Sequence, residues 1–215
     1  EYVRRLQAAL ERRGVDIRLK TAVKGVSRNP VGVSVQTAEA PPAFYDEVVF
    51  ATHSDDSLRL LEDATDFEQE QLSAVQYQPN EMILHADPSV MPHNKQCWSS
   101  WVYSEAADKT SDRIDLTYWM NSLQPIPKDD PHFVTLNTTR TIKQELIYDQ
   151  ATFRHPVYDL AALQAQQNIA AQNGKNHTWF CGAWMKNGFH EDGLSSALDV
   201  ATAIEEQTAL RVAAE

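Results

Sequence analysis

Thr178-Trp-Phe-Cys-Gly-Ala-Trp-Met-Lys-Asn-Gly-Phe-His-Glu-Asp-Gly-Leu-Ser-Ser-Ala-Leu-Asp-Val-Ala-Thr-Ala-Ile204 carries the reading of the whole chain. Trp179 to Cys181 is a short apolar strand, Gly182 turns the chain, and a loop leads to a helix expected from near Asp192 or Gly193. Three of the seven glycines (Gly182, Gly188, Gly193) fall here, where the backbone must bend sharply or approach something closely. Glu191 and Asp192 offer negative charge and a cap at the helix start. Leu194, Ala197, Leu198, Ala201 and Ile204 then recur at helical spacing. A strand, a glycine turn and a free helix N-terminus are how α/β proteins hold an electron-rich or anionic group. An ordinary closing βα unit has the same spacing, and spacing does not separate the two.

The rest of the chain sets bounds. Its 215 residues suffice for one good core or two small ones. A net charge of -11, with no basic stretch interleaved with aromatics, argues against nucleic acid. No apolar run approaches membrane-spanning length and no signal peptide is visible. Cys97 and Cys181 are far apart without metal-type spacing, and the histidines have none either. Reduced thiols in a cytoplasmic protein and no metal site are the expectation.

Outward from the C-terminal stretch, residues 1–13 are predicted as an amphipathic helix (Tyr2, Val3, Leu6, Ala9, Leu10) closed by Gly14. Strands are expected at Val15–Leu19, Ala22–Arg28, Val31–Thr37 and, as a run buried on both faces, Asp46–His53. Ser54–Leu61 and the acidic Asp63–Ala74 read as helices, the second with Phe67 and Leu72 inward, and Gln78-Pro-Asn80 breaks the pattern. Strand-like runs follow at Glu81–Ala86, Cys97–Tyr103, Arg113–Met120, His132–Thr138 and Lys143–Tyr148. Polar turns separate them, as in a mainly antiparallel sheet. His155-Pro156 leads the chain back, and Asp159–Asn173 is a helix capped by Asp159.

On that sheet the aromatics pair with opposite parity: Trp98 against Trp101, and Tyr118 against Trp119. One member of each pair can line a pocket while the other packs beneath a helix. Core packing is the stronger reading for any single one. Asn121 is a milder pocket candidate, because its amide is costly to bury unpaired. His190, just before the helix, could exchange a proton with a ligand or simply cap the loop.

Phe180-Cys-Gly-Ala-Trp184 followed by Gly188-Phe-His-Glu-Asp-Gly-Leu-Ser-Ser-Ala197 resembles the C-terminal flavin-binding segment of the FAD-dependent amine oxidase superfamily. With Thr117-Tyr-Trp-Met-Asn-Ser-Leu-Gln124 and His155-Pro-Val-Tyr-Asp159, the heptapeptide from Gly188 is most similar to bacterial predicted NAD/FAD-binding proteins that accompany cyclopropane fatty acid synthase. The resemblance implies an α/β fold in which an incomplete Rossmann-like FAD-binding domain receives an α+β insertion. That insertion is a mainly antiparallel substrate domain with helices. The divisions expected are 1–55 (FAD-binding, part), 56–155 (substrate) and 156–215 (linker helix and return). No Gly-x-Gly-x-x-Gly occurs, so the chain is expected to be the C-terminal portion of a longer flavoprotein.

By the same resemblance FAD is the cofactor. It would be held by Val23, Ala51, Thr52, Gly182, Ala183, Trp184, Phe189, His190, Glu191, Asp192, Gly193 and Leu194. His190 is the catalytic candidate, and Trp98, Trp101, Tyr118, Trp119 and Asn121 are the substrate candidates. Many relatives carry an acidic residue where Ala183 stands, and amine oxidases commonly use a lysine near the flavin, whereas nothing marks Lys143 as catalytic. A lipid-type substrate is therefore at least as well supported as an amine. The resemblance also allows peripheral membrane contact and a lipid-modifying partner enzyme. Two functions stay open: an oxidoreductase taking hydride onto flavin N5, and a non-catalytic module serving that partner.

Overall fold

The computed structural model describes residues 1–104 and 115–214. The fold is α/β with an antiparallel insertion, in two compact units: Glu1–Gln76 together with the chain from Tyr158 onward, and Tyr77–Val157.

In the first unit, α1 (Tyr2–Arg12) ends at Gly14, whose φ of +83° lets its amide return to Glu11 O at 3.0 Å. Its apolar stripe is not buried: Tyr2, Val3 and Leu6 are exposed. β1 (Val23–Asn29), β2 (Gly32–Thr37) and β3 (Ala43–Tyr45) form an antiparallel meander around buried Val26 and Val33. Gly32 makes the β1–β2 turn at φ +149°, where a side chain would meet Tyr45 O at 2.5 Å. β4 (Val48–Phe50) lies parallel to β10 (Thr178–Phe180), with Phe50 and Phe180 stacked at 5.5 Å.

Helices cover this pair. α2 spans Ser54–Leu60, and α3 (Asp66–Ala74) opens on a capping box between Thr65 and Glu68. α5 (Leu160–Ala170) is capped by Asp159, which accepts Ala162 N–H at 2.8 Å. It buries Ala162, Ala165 and Ile169, and Asn168 joins it to Gln71 of α3 at 2.8 Å. α6 (His190–Ala214) sets Val200, Ala197, Ala203 and Ile204 against Trp179 and Cys181. Arg28 ties these layers together. Its guanidinium, 4% exposed, bonds Asp63, Glu68 and Thr178, which links β1 to the α2–α3 loop, α3 and β10. Burial opposes the charge on Arg28 and on Glu68, but their mutual bonds win: Arg28 is raised and Glu68 lowered from their ordinary pKa.

The second unit is a five-stranded sheet of β5 (Gln76–His85), β6 (Trp101–Ser104), β7 (Asp115–Trp119), β8 (Phe133–Leu136) and β9 (Ile147–Val157), in the order β6-β7-β8-β5-β9. A short α4 (Met120–Leu123) follows β7. One sheet face forms the core, where Phe133, Ile83, Val102 and Trp119 pack with Trp98, Val90, Met91, Ile142 and Ile147. A buried polar chain crosses this face. Asp87 N–H donates to His85 Nδ1 at 3.1 Å, which leaves the His85 proton on Nε2 for Thr135 Oγ1 at 2.7 Å; Thr117 Oγ1 follows at 3.0 Å. Burial lowers the His85 pKa, against the opposing pull of Asp87.

Several expected elements differ. Val15–Leu19 is not a strand: Val15 and Leu19 are exposed, and no ladder partner stands beside them among the described residues. β4 is shorter than Asp46–His53, and Val49, expected in a run buried on both faces, is exposed. The strand expected from Cys97 starts only at Trp101, since Asn94 caps a 3-10 turn at Lys95–Cys97. Pro79 lies inside β5, outside the Met82–His85 stretch that pairs with β8, so its missing N–H breaks no β5–β8 bond. β9 begins after a turn at Gln144–Leu146 and runs through His155-Pro156. The first residues of the strand expected from Arg113 lie outside the described residues. Finally, residues 56–76 pack within the first unit, so contact divides the chain at Gln76/Tyr77.

Candidate functional site

The C-terminal stretch builds a strand, turn and helix whose parts touch. Cys181 N–H continues the β10 ladder to Phe50 O at 3.0 Å, and the chain then turns at Gly182 with φ +138°. A side chain there would press on the Trp184 ring at 3.0 Å. Trp184 is buried, and its indole N–H donates to Thr52 O at 2.9 Å. Thr52, Gly182, Ala183 and Trp184 are thereby brought together at the C-terminal ends of two parallel strands, the usual place for a ligand in α/β sheets. Gln166 of α5 holds the following loop by donating to Trp184 O at 2.8 Å and Lys186 O at 2.7 Å.

The helix starts at His190, earlier than expected, because Asp192 works from inside its first turn. Its carboxylate accepts Phe189 N–H at 2.9 Å, half of a capping box. Gly193 then faces the turn: a Cβ on it would lie 3.7 Å from Ala183 N and 3.9 Å from Ala183 Cβ. Helix geometry leaves the first-turn amides without intrahelical acceptors. Phe189, His190, Glu191 and Leu194 are exposed around this start. Ala51 is exposed just beyond β4, whereas Val23 opens β1 in the other sheet of the unit. His53, Asp55 and Asp56 come close enough to share an ion at the start of α2, a grouping common among acidic residues with no ion bound.

In the second unit Tyr118 and Trp119 fall on opposite faces of β7 as their parity predicts, whereas Trp98 precedes β6 and reaches the core from the 3-10 turn. Trp98 and Trp119 meet edge to face at 5.3 Å in the core, and both touch the Phe133 cluster. Trp101 and Tyr118 meet at 5.7 Å on the other face. There the register lines up Trp101, Tyr118, Val134 and Leu84 in one row and Tyr103, Leu116, Leu136 and Met82 in the next. Neither row contains a charged residue. Tyr103, Leu116, Val134, Leu84 and Met82 escaped the sequence reading, because cross-strand register is invisible without the pairing. Asn121 belongs to neither face. Its amide donates to Pro127 O and Asp130 O at 2.6 and 2.7 Å and accepts His132 N–H at 2.8 Å, so a loop consumes its polar atoms.

A strand–glycine turn–helix in one unit and an antiparallel sheet in the other define the class: an α/β fold with an inserted sheet unit. The chain belongs to the flavin containing amine oxidoreductase family, which matches residues 1–142. The stretch from Gly182 to Leu194 lies beyond that match and rests on its own motif and geometry. Solved structures agree on the fold. Cyclohexylamine oxidase from Brevibacterium oxydans gives a TM-score of 0.60 at 11% identity, over 87% of this chain and 48% of its own. A putrescine oxidase gives 0.57 at 12%, over 92% and 51%. The CLA-producing fatty acid isomerase from P. acnes gives 0.57 at 14%, over 85% and 47%. The chain thus spans about half the length of the solved structures it matches. No curated protein matches the sequence.

The family's cofactor is FAD, and the residues present fit a flavin. A Cβ on Gly193 would reach Ala183 N and Cβ only at 3.7 and 3.9 Å, so the protein's own packing does not require a glycine at this helix start. Phe189 and Leu194 add exposed apolar surface beside it, suited to a flat ring.

Proposed function

We propose that this chain forms part of an FAD-dependent oxidoreductase acting on an organic substrate, in which Ala51, Thr52, the Gly182–Trp184 turn and the Phe189–Leu194 helix start hold the flavin and Val23 meets its adenine end. The observation that carries this is the Gly193 helix start set directly against the Gly182–Ala183 turn, in a chain of a flavin-containing family. Bound flavin supplies the hydride acceptor at N5. The first-turn amides of α6 stabilise negative charge on an electron-rich ring edge, and Asp192 keeps that turn capped. His190, exposed at the helix start, is placed to hold or deliver a proton.

For the substrate we propose an unsaturated or cyclopropane-type acyl chain, with a primary amine or polyamine as the competing class. Two of the similar structures are amine oxidases and one is a fatty acid isomerase, so the fold does not choose. The sheet face does favour one. Its two uncharged rows of aromatic and aliphatic side chains suit a hydrocarbon and offer no carboxylate to an ammonium.

The test is spectral. Full-length protein should carry flavin absorbance near the usual flavin bands, bleached anaerobically by unsaturated phospholipid vesicles and not by amines. Bleaching by amines alone would reverse the substrate assignment. Tight FAD that no candidate reduces would replace the oxidoreductase with a non-catalytic module serving a lipid-modifying partner.

A further inference from the structure

Ser196 stands one helical turn past Gly193, is 5% exposed, and serves three backbone groups with one hydroxyl. It accepts Gly182 N–H at 2.9 Å. Its own proton lies between the carbonyls of Gly182 at 3.1 Å and Gly193 at 2.9 Å. A serine bonding back to the carbonyl three residues earlier is ordinary in a helix. Gripping both the N–H and the C=O of a residue in a different element is not. Gly182 has a positive φ and no side chain, so little in the residue itself fixes its angle. The fixing comes from outside: Trp184 anchors to Thr52, Met185 N–H returns to Gly182 O at 3.0 Å, and Ser196 clamps the turn to α6.

We propose that Ser196 is a positioning residue for the flavin, fixing the Gly182–Ala183 turn against the first turn of α6. This rests on the flavin reading above. The Gly193 Cβ position lies 3.7 Å from Ala183 N and 3.9 Å from Ala183 Cβ, so the turn and the helix start meet directly and form one continuous surface. The hydroxyl one turn deeper holds that contact, and a shift of the turn away from the helix changes the shape of the surface offered to the ring.

Two readouts separate this role from simple packing, both in the full-length protein. Amide hydrogen exchange at Gly182, measured without FAD, reports the clamp alone. FAD affinity and the position of the bound flavin's visible band report its consequence. Ser196→Ala should raise exchange at Gly182 and weaken FAD binding, each by about 5–10-fold, the range set by losing one such hydrogen bond, and should shift the band. Ser196→Thr, which keeps the hydroxyl, should restore both, and Ser195→Ala on the same helix should change neither. Faster exchange with unchanged FAD affinity and band would make the clamp purely structural and overturn the proposal. No change in exchange would show the hydroxyl idle and overturn it as well. Wild-type protein that binds no FAD would defeat the flavin reading itself and the role of Ser196 with it, an outcome visible before any variant is compared.

Discussion

Gly193→Ala should push stability and flavin binding in opposite directions. Gly193 lies within α6 and is absent from the residues with positive φ, so alanine can adopt its backbone without strain. The new methyl would meet Ala183 N at 3.7 Å and Ala183 Cβ at 3.9 Å, both ordinary contacts. Replacing glycine by alanine in a helix gains up to about 1 kcal/mol, and less in a first turn, so about 0.5 kcal/mol is expected here. In a chain of this size that is a rise of about 1–2 °C in the unfolding midpoint of the flavin-free protein. A flavin against the same backbone has no room for a methyl. Overpacking a tight contact costs about 1–3 kcal/mol, so FAD affinity should fall roughly five- to hundredfold. Thermal unfolding without FAD and flavin fluorescence titration measure the two halves. A variant that gains stability and binds FAD as tightly as wild type would show that the helix start is not at the flavin. Gly182→Ala is no substitute for this test. With φ at +138° and Trp184 at 3.0 Å it should lose stability whether or not a flavin is near.

Arg28→Met should destabilise the first unit by about 3–5 kcal/mol in denaturant unfolding, because Glu68, only 12% exposed at its side chain, would lose its cation; adding Glu68→Leu should recover part of that loss. His85, fully buried and held neutral, has a folded pKa lowered by burial, so the unfolded chain binds its proton first; stability should be intact above the unfolded value of about 6.5 and fall as pH drops below it. His85→Gln should flatten that slope, and an unchanged slope would place the acid sensitivity elsewhere. Trp119→Ala should cost about 3 kcal/mol through the Phe133 core, while Trp101→Ala costs about 1 kcal/mol or less and instead slows flavin reduction by an acyl substrate; equal stability losses would contradict the two-faced sheet.

What the sequence revealed and what it hid divide along a physical line. Signals within one turn or one strand were legible. Gly14 closes α1, Asp159 caps α5, and the parity of Tyr118 against Trp119 resolves onto opposite faces of β7, because each depends on residues a few positions apart. Features set by distant partners were not. Val15–Leu19 has strand composition but no ladder, and Asn121 has a pocket residue's chemistry spent on a loop nine residues away. The candidate site shows both sides at once. Its glycines announced a sharp turn and a close approach, and its helix was readable from Leu194 onward. Ser196 was not singled out, although a polar residue on the apolar side of a helix is a local anomaly that asks for a partner. That partner, Gly182, is fourteen residues away, across a loop whose path no local rule supplies. The residues that position a site are harder to read than those that line it, because lining is written in residue type and positioning in tertiary pairing.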